Sequence, residues 1–183
     1  MELHGRRAAI LVEQQYQELE VWYPLYRLRE AGCDVVAVGP EAGKTYASKL
    51  GYPVKSDKAA ADCSPDDFDL LVIPGGFAPD YIRRSEPMLK LVRGMAERGK
   101  VIAAICHGPW VLCSTAALKG KRVTCFPSIQ DDVTNAGGRY EDAEVVHDGH
   151  LITSRKPDDL PAFLRAIFAA LTDQPARVTA KVR

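Results

Sequence analysis

The chain has 183 residues, 46% of them hydrophobic, and its 24 Lys+Arg are balanced by 24 Asp+Glu, giving a formal net charge of zero at pH 7. One domain of this length buries a full hydrophobic core without staples, and balanced charge without like-charge runs excludes electrostatic capture of nucleic acid or of an anionic membrane. No apolar segment reaches the ~18 to 20 residues that span a bilayer, and the opening MELHGRRAAI lacks the charged-then-apolar plan of a secretory signal, so a cytoplasmic protein is expected.

Ala8 to Val12 is the first apolar run and Val35 to Val38 the second. Between them, Leu19, Trp22, Tyr23, Tyr26 and Leu28 recur at helical intervals within Glu18 to Ala31, and Gly32 is placed as a stop. Pro24 removes one donor inside this helix and is expected to bend it or delay its regular part. After Gly39-Pro40, the segment Lys44 to Val54 is punctuated by Gly and Pro and reads as an excursion or hairpin, and a brief helix is expected over Asp57 to Asp62. Phe68 to Ile73 is a buried strand ending in Pro74-Gly75-Gly76, whose glycines let backbone approach a ligand. Ser85 and Pro87 suit a helix entrance, Met88, Leu91, Val92 and Met95 form its stripe, and Gly99 closes it.

Val101 to Ile105 is an unbroken apolar run of strand length, followed by Trp110, Val111, Ser114, Ala117 and Leu118 at helical spacing as far as Lys119-Gly120. Val123 to Phe126 reads as another short strand, and Ile129 to Asn135 as a helical turn before Gly137-Gly138. Val145 to Ser154 is a hairpin with Asp148-Gly149 at its centre, and Leu160 to Leu171 is the last helix. Buried strands alternating with helices imply a single α/β domain over 1–172, a three-layer α/β/α sandwich with a mostly parallel sheet, and a loosely ordered tail over 173–183. In such folds the site lies at the carboxyl ends of the strands, where Cys106 and Gly75-Gly76 both fall.

The five cysteines, Cys33, Cys63, Cys106, Cys113 and Cys125, are odd in number and include no CxxC pair, which argues against a disulfide framework or a zinc knuckle. Four read as small hydrophobes. Cys106 differs because it stands on a strand-to-helix turn, where unsatisfied helical N–H groups favour the thiolate. A buried structural thiol is the alternative. His107 follows directly where a base is useful, Gly108 allows a tight turn and Pro109 suits a first helical turn. His147 and His150 flank a hairpin without the other ligands of a metal site, and Asp131-Asp132 fits a helix start. No phosphate-binding GxxxxGKS or GxGxxG pattern occurs.

AAICHGPWVL, preceded by LVIPGGFAPDYIR and followed by TCFPSIQDDVTNAG and DGHLITSRKPDDL, resembles the DJ-1/PfpI family of the class I glutamine amidotransferase-like superfamily, and most of all its PfpI intracellular protease branch. The resemblance runs from about Ala8 to Leu171 and implies a flavodoxin-like fold. It implies Cys106 as nucleophile, His107 as general base, and the backbone N–H groups of Gly76 and His107 as an oxyanion hole. It further implies that a carboxylate from a neighbouring subunit completes the triad, and the matching residue is Asp80, one methylene shorter than the usual Glu. The usual Glu that hydrogen-bonds the cysteine sulfur aligns, over YQELEVWYP, with Gln17; Glu18 and Glu20 read as out of register. A Gln donates an N–H to a thiolate but exchanges no proton. Phe126 stands where many members have Tyr, and reads as pocket wall.

The expectation is therefore a cofactor-free cysteine-nucleophile hydrolase of the PfpI intracellular peptidase type, stress-associated and without a metal. Its partners are expected to be a small carbonyl or peptide substrate and a second copy of itself, as a homodimer or higher homo-oligomer. Glyoxalase or deglycase action on reactive carbonyls is one alternative, against which Gln17 counts. Redox or stress sensing through oxidation of Cys106 is another. Glutamine amidotransfer lacks its downstream His-x-Glu pair.

Overall fold

The structure, a computed structural model, describes residues 2–173, so the tail expected over 173–183 lies outside the described residues except for its first. β1 (Arg7–Leu11) is followed by α1 (Glu18–Glu30) and β2 (Asp34–Gly39), the last paired in parallel with β1. α1 runs unbroken through Pro24, which is buried with Glu20, Val21, Leu25 and Leu28. β3 (Thr45–Ala47) and β4 (Pro53–Lys55) form the expected hairpin excursion. β5 (Lys58–Ala59) then adds a short parallel edge beside β2. The brief helix expected over Asp57 to Asp62 is only a single tight turn, Ala60–Asp62.

β6 (Leu70–Ile73) returns to the other side of β1. It is followed by α2 (Ala78–Ile82), a short helix that periodicity is too brief to reveal, and by α3 (Glu86–Glu97). Ser85 stands at the entrance of α3 but makes no capping bond. β7 (Val101–Ile105) pairs with β6, and both strands are wholly buried, which accounts for their unbroken apolar runs. α4 (Pro109–Cys113) ends well before Leu118, because Ala116 adopts a left-handed φ of 60° that no α-helix accommodates.

β8 (Arg122–Val123) is shorter than expected, and α5 (Gln130–Asn135) and β9 (Arg139–Tyr140) follow. β10 (Val145–Asp148) and β11 (Leu151–Ser154) form the expected hairpin one residue out of place. Its two loop residues are Gly149 and His150. Gly149 supplies the positive φ, 67°, that such a loop needs at its first position, while Asp148 stays in the strand and accepts from Arg122 N at 2.8 Å. α6 (Leu160–Thr172) closes the domain and buries Phe163, Leu164, Ile167 and Leu171.

The sheet order is β10-β11-β7-β6-β1-β2-β5, parallel throughout except between β10 and β11. The crossover from β1 to β2 moves one way along the sheet and that from β6 to β7 the other. Right-handed crossovers therefore put α1 and α3 on opposite faces, giving the flavodoxin-like three-layer sandwich. α6 packs on the α1 face, against α1 and β11. The strand order reverses between β1 and β6, and the segments leaving β1, β6 and β7 meet there at their carboxyl ends. That is where a doubly wound fold opens a crevice.

Candidate active site

Cys106 is the first residue beyond β7 and has a φ of 62°, a left-handed conformation that costs free energy for a residue with a Cβ. Backbone bonds hold it from two sides: Cys106 N donates to Ser154 O at 3.0 Å, and its carbonyl accepts from Phe126 N at 2.9 Å. Gly108 is required next, because a Cβ there would lie 2.4 Å from Ile73 O and 2.8 Å from Ile105 O. Pro109 then opens α4 in its first turn. The result is a sharp strand-to-helix turn that presents the thiol at the crevice.

Three groups converge on that thiol. The backbone N–H groups of Gly76 and His107 bond towards the sulfur and favour its thiolate. His107 Nδ1 lies 3.3 Å from Sγ, and its Nε2 lies 3.1 Å from Ser128 Oγ. With the proton on Nε2 and donated to Ser128, Nδ1 is free to accept the thiol proton. Burial first, and Lys49 second, lower the His107 pKa, which favours the neutral imidazole, the form able to accept a proton. Phe126 stacks on the His107 ring at 4.9 Å between centroids, the aromatic wall expected of it, and Trp110 meets the same ring edge-on at 5.3 Å.

The third group is Glu20, which is fully buried. Its Oε2 accepts from Gly75 N at 2.6 Å, and its carboxyl interacts directly with Cys106. Burial pushes Glu20 up to about 8, against opposing bonds from Gly75 and Cys106. Burial, and then the charge of Glu20, push Cys106 up to about 12. The charge of Glu20 raises the cost of forming the thiolate, whereas the Cys106 thiol bonds to the carboxylate, and at neutrality Glu20 is held mostly protonated beside the sulfur. Cys33 and Cys125 are also pushed up to about 12 by burial. Position, rather than acidity alone, distinguishes Cys106.

This placement corrects the expectation for Gln17. Gln17 is the N-cap of α1, its Oε1 accepting from Glu20 N at 3.1 Å, and it lines the cavity without reaching under the sulfur. The carboxyl expected to be missing is present at Glu20. The signal was legible: Glu20, Pro24 and Leu28 are four residues apart, so Glu20 falls on the buried stripe of α1, where an ionisable side chain needs a reason. Ser128 had no such signal, because only folding brings it to His107. Asp80 lies in the first turn of α2, ion-paired with Arg84 of the same chain, and does not line the cavity around Cys106. His147 Nε2 turns to Gly149 O at 2.8 Å, and no group of three His, Cys, Asp or Glu suited to a metal occurs among the described residues.

The cavity over Cys106 has a volume of about 480 Å³, with Phe77, Trp110, Phe126 and Pro157 as apolar walls and Gln15, Gln17 and Lys49 as its polar rim. A larger one, about 590 Å³, lies between α3 and the 60–65 segment and contains Cys63, with no histidine in its lining. Among the described residues no helix is long and apolar enough to cross a membrane.

The sequence profile of the DJ-1/PfpI family matches residues 6–170. A protein of Bacillus subtilis (strain 168) named "Putative cysteine protease YraA" is 46% identical over 161 residues, covering 88% of this chain and 95% of that protein. The protein named deglycase PfpI from Pyrococcus furiosus is 42% identical over 155 residues, covering 85% and 93% of the two chains. Among solved structures, a two-domain Anabaena variabilis protein with DJ-1/ThiJ/PfpI-like and ferritin-like domains superposes with a TM-score of 0.90 at 40% identity. That match covers 97% of this chain and about half, 51%, of the two-domain one.

Proposed function

We propose, on the premise that the chain belongs to the DJ-1/PfpI family, that it is a Cys106-dependent enzyme acting on small reactive carbonyl compounds, 2-oxoaldehydes or the adducts they form. The observation that carries this reading is Glu20, a buried carboxyl that holds a proton near neutrality beside the nucleophile. The aromatic cavity of about 480 Å³ suits a small carbonyl better than an extended polypeptide.

The chemistry is written for methylglyoxal. The Cys106 proton passes to His107 Nδ1, 3.3 Å away. The sulfur adds to the aldehyde carbon, and the carbonyl π pair moves to oxygen, where the N–H groups of Gly76 and His107 stabilise it. Protonation of that oxygen gives a hemithioacetal. Glu20 as carboxylate removes the C1 proton and as acid returns one to C2, converting the hemithioacetal into a thioester through an enediol. Water then cleaves the C–S bond and restores the thiol, so the net change is addition of one water to give lactate. No external oxidant or reductant enters. Neutral Gln17 at the rim has no part in the proton transfers and does not count against this route.

The test is methylglyoxal consumption with lactate release by wild type and three variants. Cys106→Ser and Glu20→Gln should each lose at least about 100-fold in rate, the lower end of what a positioned proton carrier or nucleophile supplies, whereas Gln17→Glu should stay near wild type. A Glu20→Gln enzyme as fast as wild type would sink the reading.

A second reading, peptide or ester hydrolysis through an acyl-Cys106 intermediate, has its own support in the Cys106, His107 and Ser128 chain and in the relative named for cysteine protease activity. It requires Cys106 and His107 but no proton shuttle at Glu20. Hydrolysis of a chromogenic ester or peptide that survives Glu20→Gln, with no methylglyoxal turnover by wild type, would favour it.

A further inference from the structure

Among the described residues the rim of the Cys106 cavity carries one cationic side chain, Lys49, on the turn between β3 and β4. Its backbone position is fixed relative to the oxyanion donors by a ladder of three segments. Gln15 N donates to Ala47 O at 2.7 Å, Lys49 N to Tyr16 O at 2.9 Å, Phe77 N to Gln15 O at 2.8 Å and Gln17 N to Gly75 O at 3.2 Å. Tyr16 thus bridges to Ser48 on one side and Gly76 on the other. A Cβ on Gly76 would lie 2.4 Å from Gln15 O, which measures how closely the segment bearing an oxyanion donor is packed on the one that carries the Lys49 turn.

Glu18 holds the same turn from its other side. A single carboxylate oxygen accepts from Ser48 Oγ at 2.5 Å and from Leu50 N at 2.7 Å, the residues immediately flanking Lys49. Burial opposes the charge on Glu18, but the Ser48 bond, the backbone bonds of Glu18 and Leu50 and, last, the charge of Lys49 bring its pKa below the usual carboxylate range. Glu18 is therefore occupied as a clamp, and Lys49 forms no salt bridge within 4.0 Å among the described residues. The ammonium is exposed, and its field reaches Glu18 beside it as well as Glu20 and His107 in the site. Among the described residues no acidic side chain lines the cavity itself.

We infer that Lys49 is a specificity-determining residue, giving the cavity a preference for carbonyl compounds that carry a carboxylate within a few bonds of the reacting carbon. The aldehyde oxygen would meet the N–H groups of Gly76 and His107 while the carboxylate pairs with Lys49 across the rim. This rests on the carbonyl reading above and names the substrate class within it. A partly exposed ion pair of this kind gives a preference of about fivefold in kcat/KM, and one that weakens with added salt.

The test compares 4,5-dioxopentanoate with 2-oxohexanal, which has the same dicarbonyl head and a neutral tail of similar length. Wild type should favour the acid about fivefold at low ionic strength. Lys49→Gln should bring the ratio to about one, Lys49→Arg should keep it, and added salt should erode it in wild type and Lys49→Arg but not in Lys49→Gln. A ratio unchanged in Lys49→Gln overturns the inference.

Should neither oxoaldehyde be consumed, it is the carbonyl reading that has failed, and Lys49 is decided separately by alkylation of Cys106. Iodoacetate and iodoacetamide each form a C–S bond and expel iodide from the same thiolate, so their rate ratio is independent of how much thiolate is present. Measured at the Cys106 peptide by mass spectrometry, the iodoacetate to iodoacetamide ratio should fall about fivefold in Lys49→Gln. An unchanged ratio overturns the inference by this route as well.

Discussion

A carboxyl group enclosed between a thiol and one backbone N–H keeps its proton past neutrality, and that leaves a thermal signature. Glu20 ionises near its ordinary 4.5 in the unfolded chain but near 8 in the fold, with burial the largest cause. Between these values the folded state binds the extra proton, so the protein is destabilised progressively as pH rises from about 4.5 to 8 and by a constant amount above. Below the window the effect is absent. Glu20→Gln, always neutral, should therefore gain melting temperature relative to wild type between pH 5 and pH 8.5, as followed by differential scanning fluorimetry. A difference independent of pH would mean that Glu20 is not the group holding the proton. The same residue shows how much of the site could be read in advance. Cys106 and His107 are adjacent in the chain, and a reactive thiol at a strand-to-helix turn follows from local order alone. Glu20 was legible as a carboxylate on an apolar stripe, but the family pattern pointed to Gln17, and a helix start is where register is least secure.

At the scale of elements, the crevice is made by three turns packed so closely that they admit no side chain between them. A Cβ on Gly75 would fall 2.7 Å from Cys106 Cβ, 2.8 Å from Glu20 Oε2 and 2.8 Å from His107 N. Gly75→Ala must displace the nucleophile, its acid partner or an oxyanion donor. We expect a loss of about 1–3 kcal/mol in stability together with near-complete loss of Cys106 alkylation, measured by urea unfolding and by mass spectrometry. Retention of both would contradict the packing described for this turn. The strands could be read from the sequence because burial on both faces writes an unbroken apolar run. The five-residue α2 could not, being too short for a 3.6-residue period to declare itself, and α4 was read as a helix running on to Leu118 although it ends at Cys113. The hairpin of β10 and β11 was displaced by one residue because Asp-Gly and Gly-His both satisfy the turn chemistry, and only strand pairing chooses between them.

At the scale of the whole molecule, the sheet order brings the ends of β1, β6 and β7 together, and a further question is whether one chain completes the site. Within the chain, His107 is oriented by Ser128 at 3.1 Å, and Asp80 is paired with Arg84. We propose that the protein forms homo-oligomers, and that any contribution of Asp80 is made to a neighbouring subunit. Mixing equal amounts of Cys106→Ser and Asp80→Asn subunits then regenerates one intact site per hybrid dimer, returning about a quarter of the wild-type rate. If each mutant is inactive alone and the mixture, shown to exchange subunits, stays inactive, the contribution in trans is excluded. The chain order of apolar runs and helical stripes was enough to determine a doubly wound α/β sandwich, and its motif blocks were enough to determine the family, because burial pattern and turn chemistry are local properties written residue by residue. Which carboxyl lies under Cys106, which hydroxyl holds His107 and which cation guards the rim were decided only by the tertiary structure. Glu20, Ser128 and Lys49 come from three separate segments, and their distances to the sulfur exist only once the strand order has closed the crevice.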